Sequence, residues 1–454
     1  MISKMKKILS KIDADYADIR YEEKNETDIS YSGRELKGIG ENFTDGFVVR
    51  VLKNGGFSSV VFTKIEDAEE AVKNAVEYAE LMGKNSKKPV KLADVEVIQD
   101  EYYPDMTEDP RDISIEEKNE LLKKYNDQAL DHEKIVNTNI SYFELGRKRF
   151  FLSTEGAEII EELVTSGIKG GIISSDGNII QNVRLGAGGS DGFYHLRNLE
   201  DMIDKRKQIV VDLLSAKPVE GGTYNCILNP DLTGVFTHEA FGHFSEADIV
   251  EDLPALRKKM QLGNKLGNDI VNIVDDPTIK KELGFYKYDD EGVRARRVQL
   301  MENGVLKGRL HSRRTAAEFD EPVTGHCVAE DYRYAPIVRM GTIFIEPQND
   351  SFEDLLKKLD NGIYVCDAKG GQTSGENFTF GAQYGYLVKN GKIKDMVRDI
   401  NISGNLYKTL KNIRAVGSDL ELSKTGGCGK GQTNIRSCHG GPHTIIDNLV
   451  IGGV

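Results

Sequence analysis

The sequence contains no apolar run of the length that a membrane-spanning helix requires, about 20 residues. Its basic first segment, residues 1–7, is followed by an amphipathic stretch at residues 8–18 with interspersed lysine and aspartate. An exported protein would carry an unbroken apolar core at this position. The sequence therefore predicts a chain without a membrane partner, located in the cytoplasm.

Cysteine is scarce, and its number is odd. The five cysteines, at positions 226, 327, 366, 428 and 438, are spread over a large chain instead of forming a closely spaced set. Without an export signal, this pattern indicates reduced thiols in a cytosol and not a disulfide framework. At least one thiol is then available as a metal ligand.

Positive charge is also in deficit. Lysine and arginine number 60 against 73 aspartates and glutamates, which gives a net charge of −13. An acidic surface repels phosphate backbones, and no basic stripe reverses this locally, so a nucleic-acid partner is disfavoured. The 39% apolar and 29% charged residues are typical of a globular protein, and 454 residues suffice for two or three domains.

The pattern of elements changes near Pro218. Residues 1–218 alternate helical and strand-like segments and predict an N-terminal α/β domain, with a possible subdivision near 83–112 into two related units. Residues 219–454 are rich in glycine and in short β-patterned runs, which predicts a mostly β domain folded as a barrel or a curled sheet. The predicted fold class is α+β, and the C-terminal domain carries the helix with the candidate metal site.

That helix is predicted near residues 231–247. Asn229 and Pro230 form a helix-start signal, an N-cap followed by proline at the first helical position. Within the helix stand His238, Glu239 and His243. Zinc peptidases commonly place two histidines four residues apart on a helix, with glutamate beside the first histidine as the general base.

The spacing here is five residues, which a regular helix rotates by about 140°, so the two imidazoles would diverge. A π-helical turn, with its period near five, brings them onto one face, and Gly242 is the residue that best permits it. We therefore predict a bulge or kink near Phe241-Gly242. Glu246 and Asp248 are candidates to orient the imidazoles, since metal-bound histidine usually donates its second N–H to a carboxylate. A hydrogen-bonded His-Glu pair in the core is the competing interpretation.

These residues resemble the TldD/PmbA peptidases, and specifically the TldD branch, since PmbA-branch proteins generally lack the metal motif. The resemblance covers nearly the whole chain and is strongest after residue 220. The motifs that carry it are His238 to Asp248, Thr324-Gly325, Pro336 with Arg339-Met340, Gly362 to Tyr364, Gly370 to Gln372, Tyr384 to Gly391, Gly427 to Gln432, Gly440 to His443 and Val450 to Gly453.

The resemblance implies that His238, His243 and Cys428 bind one zinc ion per chain and that Glu239 is the catalytic base. It further implies a peptidase of small or unfolded peptides, some members of the family processing peptide precursors. The expected assembly is a homodimer or a heterodimer with a PmbA-branch paralogue, with the metal in a cavity between paired subunits.

Two alternatives stay open. Cys428, Cys438, His439 and His443 lie close enough in sequence to form a closed structural site of four ligands. A different class of function is a non-catalytic regulator that binds another protein, for example a DNA-processing enzyme, and holds a structural metal.

The residues that recognise substrate are less defined. Arg313 and Arg314 are either a carboxylate-binding pair or a solvated basic turn. If the site accepts extended peptides, an exposed strand edge near the metal would pair with the peptide backbone. Tyr384, Tyr386 and the segment Gly370-Gly371-Gln372 are candidates for that wall, and a core strand followed by a turn is the alternative.

Overall fold

The computed structural model describes residues 1–452. Its helices are Ile2–Leu9 (α1), Ala68–Asn85 (α2), Ile115–Leu130 (α3), Glu200–Asp212 (α4), Pro230–Phe236 (α5), His243–Ser245 (α6), Ala247–Val250 (α7), Pro254–Lys259 (α8), Arg313–Phe319 (α9), Phe352–Leu359 (α10) and Leu406–Lys411 (α11). A π-helical turn, Thr237–Gly242, joins α5 to α6. Among the described residues, no helix is long and apolar enough to cross a membrane.

The strands of the first half are Tyr16–Ser32 (β1), Glu35–Lys53 (β2), Gly56–Phe62 (β3), Gln99–Tyr102 (β4), Ile135–Ser153 (β5), Glu158–Ser175 (β6) and Ile180–Gly189 (β7). Those of the second half are Lys217–Pro218 (β8), Gly222–Leu228 (β9), Ile273–Asp275 (β10), Val298–Glu302 (β11), Val305–Leu306 (β12), Cys327–Val328 (β13), Ile337–Val338 (β14), Thr342–Ile345 (β15), Gly362–Ser374 (β16), Asn377–Lys389 (β17), Lys392–Arg398 (β18), Ile400–Asn405 (β19), Ile413–Val416 (β20), Glu421–Leu422 (β21), Cys438–Gly441 (β22) and Thr444–Gly452 (β23).

All seven strands of the first half belong to one sheet, in the order β3-β2-β1-β5-β6-β4 with β7 also paired to β6. Apolar residues at odd positions of β1, such as Ile19 and Ile29, are fully buried. Ile19 packs in a core shared with α1 and α2, and Ile29 in a core shared with α3 and α4. Because side chains alternate along a strand, both helix pairs cover the same face of the sheet, towards opposite ends of β1.

The opposite face of this sheet carries charge and is nevertheless buried. Asp18, Arg20 and Glu22 alternate with the apolar residues of β1 and are at most 1% exposed. Arg20 forms an ion pair with Asp290 at 2.9 Å, between Nη1 and Oδ1. Since a buried charge is costly without a partner, this pairing holds the second half of the chain in one position against the sheet.

The second half is built around a closed ring of five strands, β16-β9-β23-β19-β17, completed by the pairing of β17 with β16. A six-stranded sheet, β12-β11-β10-β15-β22-β21, lies beside it. Helix α5 packs between β16 and β22. A Cβ added at Gly234 would stand 2.6 Å from Gly440 Cα, so glycine permits this close approach of α5 to β22.

The predicted α+β class with a barrel-like C-terminal region is confirmed. The two suspected N-terminal units are merged into one continuous sheet, and residues 83–112 contribute β4, which pairs in parallel with β6. The boundary near residue 218 stays a prediction. Gly453 and Val454 lie outside the described residues. They are the last residues of the predicted C-terminal domain, and Gly453 also ends the Val450 to Gly453 motif.

Candidate metal centre

The helix with the motif begins and bends where the sequence predicts. Asn229 caps α5 by accepting a hydrogen bond from the Leu232 N–H, and Pro230 is the first helical residue. The π-helical turn then spans Thr237–Gly242, which confirms the predicted distortion near Gly242. A Cβ at Gly242 would approach the Met340 Sδ to 2.1 Å, so packing against Met340 favours glycine here, while the backbone at Gly242 is ordinary right-handed helix.

The distorted turn brings three potential metal donors together. The donor atoms of His238, His243 and Cys428 all lie within 4.8 Å of one another. The Cys428 Sγ is 2.8 Å from His238 Nε2 and 3.9 Å from His243 Nε2. A thiolate and an imidazole bound to one tetrahedral zinc stand roughly 3.6 Å apart, and the two observed distances bracket that value. The donor set therefore fits a metal ion, and two imidazoles with one thiolate leave a fourth position open.

The two histidines have different surroundings: a carboxylate contacts the His243 ring, whereas burial dominates at His238. The His243 Nδ1 lies 3.1 Å from Oε2 of the fully buried Glu246, the arrangement that orients metal-binding histidines. Burial lowers the pKa of His238 well below its usual value, with neighbouring charges on His439 and His243 acting in the same direction. The neutral imidazole, which is the metal-binding form, is thus favoured at His238.

His243 leads to a testable pH dependence. Burial alone would lower its pKa, but hydrogen bonds with Cys428 and Glu246 outweigh it and raise the pKa of His243 to about 10 in the metal-free chain. Metal must displace this proton, so affinity should rise with pH until about 10. We expect cobalt(II) to bind at least about 100-fold more tightly at pH 8 than at pH 6, because affinity rises tenfold per pH unit for each displaced proton and Cys428 also binds as a thiolate. Equal dissociation constants for cobalt(II) at the two pH values would show that metal binding does not displace a proton from His243.

Glu239 lies beside the three donors and not among them. Its Oε2 is 3.7 Å from His243 Nε2, and about one third of its side chain is exposed, 34%. Burial of the rest raises the pKa of Glu239, while the nearby His243 and Arg339 charges oppose the shift. A carboxylate with a raised pKa at the open side of a metal group is suited to accept and return a proton.

The alternative four-ligand site is not assembled among the described residues. His443 lies between two other groups, Asp419 Oδ2 at 2.5 Å and the Tyr364 hydroxyl at 2.8 Å. The Cys438 thiol is fully buried and donates to the Ser423 carbonyl at 3.3 Å. Cys428 belongs to the metal group, and His439 lies near it, with its ring centroid 5.5 Å from that of His238.

The two candidate arginines already bind carboxylates of this chain. Arg313 is buried and donates twice to Glu155, at 2.8 Å in both contacts. Arg314 pairs in the same bidentate manner with Glu251, at 2.6 and 2.8 Å. Neither arginine is therefore free to bind a substrate carboxylate, and Arg313 is not a solvated turn either.

The candidate substrate wall divides into two parts. Tyr384 and Tyr386 pack in the core shared with α3 and α4, away from the three donors. The segment Gly370–Gln372 lies on the exposed part of β16, and the next residue, Thr373, donates its hydroxyl to the Glu239 carbonyl at 3.3 Å. Of the candidate wall, the Gly370–Gln372 segment is therefore the part directly beside a contact with the histidine motif.

Two cations at the centre have a position that the sequence did not predict, although both stand in motifs of the family resemblance. Lys430 and Arg339 approach the buried Glu246 at 3.0 and 3.8 Å. Lys430 stands two residues after Cys428, and this short spacing was the available signal. Arg339 stands in one of the motifs that carry the family resemblance, but no local pattern indicates that it faces Glu246.

A distorted helix with His-Glu and a second histidine, facing a distant thiol, is the arrangement of a metal-dependent peptidase. The family comparisons agree. Residues 17–79, 108–214 and 221–453 match the models of the PmbA/TldA metallopeptidase domain 1, central domain and C-terminal domain. The chain belongs to the PmbA/TldD metallopeptidase family, in its TldD branch.

Curated relatives span almost the whole chain. A metalloprotease of Methanocaldococcus jannaschii is 35% identical over 447 residues, 97% of each chain, and a metalloprotease of Synechocystis sp. is 34% identical over 443 residues, 97% of this chain and 95% of the relative. A zinc metalloprotease TldD homolog of Saccharolobus solfataricus is 28% identical over 97% of each chain.

The fold is shared with solved structures. A Thermotoga maritima protein, described as a candidate modulator of a DNA gyrase, superposes with a TM-score of 0.81 over 96% of each chain at 23% identity. At this identity the likeness concerns the fold alone.

Proposed function

We propose that the protein is a zinc-dependent peptidase of the cytoplasm that hydrolyses small or unfolded peptides. The observation that carries the proposal is the convergence of His238, His243 and Cys428, with the partly exposed carboxylate of Glu239 beside them. A structural metal site would close with a fourth protein ligand, whereas a catalytic site keeps one position open.

The donor chemistry favours zinc. Thiolate and imidazole are borderline-soft ligands, and their combination is typical of zinc rather than of magnesium, calcium or manganese. His238, His243 and Cys428 would hold one ion, which when bound would supply Lewis acidity at the open position.

The chain's own residues then perform the proton transfers. Glu239 accepts the proton of the attacking water as the peptide carbonyl is attacked. The same carboxylate returns the proton to the amine that leaves when the peptide bond breaks. Glu246 keeps the His243 ring in one orientation throughout, through the contact at Nδ1.

An unpaired strand edge supports a peptide in extended conformation as the substrate. β16 pairs with β9 only over Ile363–Val365, so beyond this point its edge away from β17 has no partner strand among the described residues. At Thr373 this edge reaches the backbone of Glu239. A peptide added along Gly370–Ser374 would be recognised through its main chain, with little selectivity for side chains. A folded protein does not offer such a free main chain.

A partner subunit belongs to the proposal. We infer from the family resemblance that the chain pairs with a second copy or with a PmbA-branch paralogue and that the metal lies in a cavity between them. The net charge of −13 supports a protein or peptide partner over a nucleic acid.

The second candidate is a non-catalytic regulator of a DNA-processing enzyme. The Thermotoga maritima neighbour, described as a candidate modulator of a DNA gyrase, is the reason to consider it. A scaffold has no use for a carboxylate beside metal ligands, so Glu239 separates the two candidates.

The proposal is tested by elemental analysis together with cleavage of an unfolded model peptide. We expect one zinc per chain and cleavage that stops on chelation and returns when zinc is added. The same polypeptide presented in a folded state is the control and should stay intact. Full cleavage by a chain stripped of metal would rule out a zinc peptidase.

A further inference from the structure

The loop that carries Cys428 has few backbone hydrogen bonds of its own, which join Gly427 to Ser437, Cys428 to Ile435 and Lys430 to Gln432. It connects Leu422, the end of β21, to Cys438, the start of β22, and Cys428 and Ile435 form its isolated strand-like pairing. Glycines occupy positions 426, 427, 429 and 431. Because glycine loses the most conformational freedom on folding, side-chain contacts must hold this loop in place.

Lys430 provides such a contact with the motif segment. Its Nζ donates to Asp248 Oδ1 and Oδ2 at 2.8 and 3.0 Å and to the Val338 carbonyl at 2.8 Å. It also lies 3.0 Å from Glu246 Oε2. Both carboxylates belong to the segment directly after His243, so a single ammonium group joins the cysteine loop to the histidine segment.

The same ammonium group acts on the second histidine through Glu246. Oε2 of this fully buried carboxylate contacts both Lys430 Nζ and His243 Nδ1, at 3.0 and 3.1 Å. The other oxygen faces the Arg339 Nε at 3.8 Å. A buried carboxylate needs cationic partners to remain in place, and Lys430 is the nearer of the two. Lys430 thus fixes the group that orients His243.

We propose that Lys430 is a positioning residue for metal binding, which locks the Cys428 loop and the His243 ring into one arrangement. The inference rests on the metal group of the proposed function, but it does not require peptide cleavage. The Lys430 ammonium group is fully engaged by acceptors of this chain, so we assign Lys430 no role in binding substrate.

The test measures cobalt(II) binding to the metal-free full chain through the thiolate-to-cobalt absorption band. Lys430→Met should bind cobalt(II) about 10- to 100-fold more weakly than the wild type, the range found for groups that support metal ligands, with a weaker band per bound ion. Lys430→Arg keeps a cation and should recover most of the affinity. Lys430→Gln, without a cation, should show the same loss and serves if the methionine variant does not fold.

Lys424→Met is the matched control. Lys424 stands in the same loop and pairs with the buried carboxylate of Glu282 at 2.9 Å, yet contacts neither Glu246 nor Asp248. It should bind cobalt(II) like the wild type. An equal loss in Lys424→Met and Lys430→Met would show general loosening of the loop and overturn the inference.

The remaining outcomes separate the two proposals. Wild-type affinity and band intensity in Lys430→Met would remove the positioning role and leave the proposed function standing. A wild-type chain without any thiolate-to-cobalt band would show that Cys428 is not a ligand, and then both the proposed metal group and the role of Lys430 are wrong.

Discussion

Replacing Glu239 by glutamine is expected to lower kcat/KM for peptide cleavage about 10³-fold, within the 10²–10⁴ range of general acid–base groups, while bound metal stays at the wild-type level. The amide keeps the shape of the carboxylate but cannot accept a proton from water. Metal is retained because Glu239 lies outside the donor set, with its Oε2 3.7 Å from His243 Nε2. The loss in rate with retained metal is the signature of a base and not of a ligand.

The measurement combines steady-state cleavage of an unfolded peptide with metal analysis of the same sample. Glu302→Gln is the control, since this exposed carboxylate pairs with Lys307 at 3.6 Å and lies outside the metal group. If Glu239→Gln cleaves as fast as the control, the base assignment is wrong. If both variants and the wild type fail to cleave any peptide but bind metal, the regulator becomes the better account.

The distorted helix shows how far local sequence reasoning reaches. Asn229 and Pro230 determine where α5 begins, and the five-residue spacing from His238 to His243 has only one helical solution that keeps both imidazoles on one face. The π-helical turn could therefore be predicted from the residues alone. Cys428 could not, because 185 residues separate it from His243, and its position depends on how β21, β22 and their loop pack. Only the family resemblance indicated it.

The sheet of the first half shows the opposite limit. Alternation in β1 correctly indicates a strand with one apolar face, but it does not tell what covers the polar face. Asp18, Arg20 and Glu22 follow the pattern of a solvated face, yet the second half of the chain buries them against Asp290 and its neighbours. Long-range ion pairs of this kind leave no periodic signal in a single sequence.

Cys428→Ser is expected to weaken zinc binding by more than about 100-fold, beyond the 10- to 100-fold effect of losing a supporting group, and to abolish the thiolate-to-cobalt band. Serine keeps the size of the side chain, but its hydroxyl does not ionise near neutral pH as a metal-bound thiol does. Zinc content after dialysis and the cobalt(II) spectrum provide the two measurements. Peptide cleavage should fall together with the zinc content.

Cys438→Ser is the matched control, ten residues further along the chain. Its thiol donates to the Ser423 carbonyl in the core, a hydrogen bond that a serine hydroxyl can also make. This variant should keep both zinc and the cobalt(II) band. Loss of zinc from Cys438→Ser with retention in Cys428→Ser would contradict the donor set and restore the four-ligand alternative. Both variants exchange a thiol for a hydroxyl, but of the two cysteines only Cys428 belongs to the donor group with His238 and His243, so the comparison isolates the role of the metal-facing thiol.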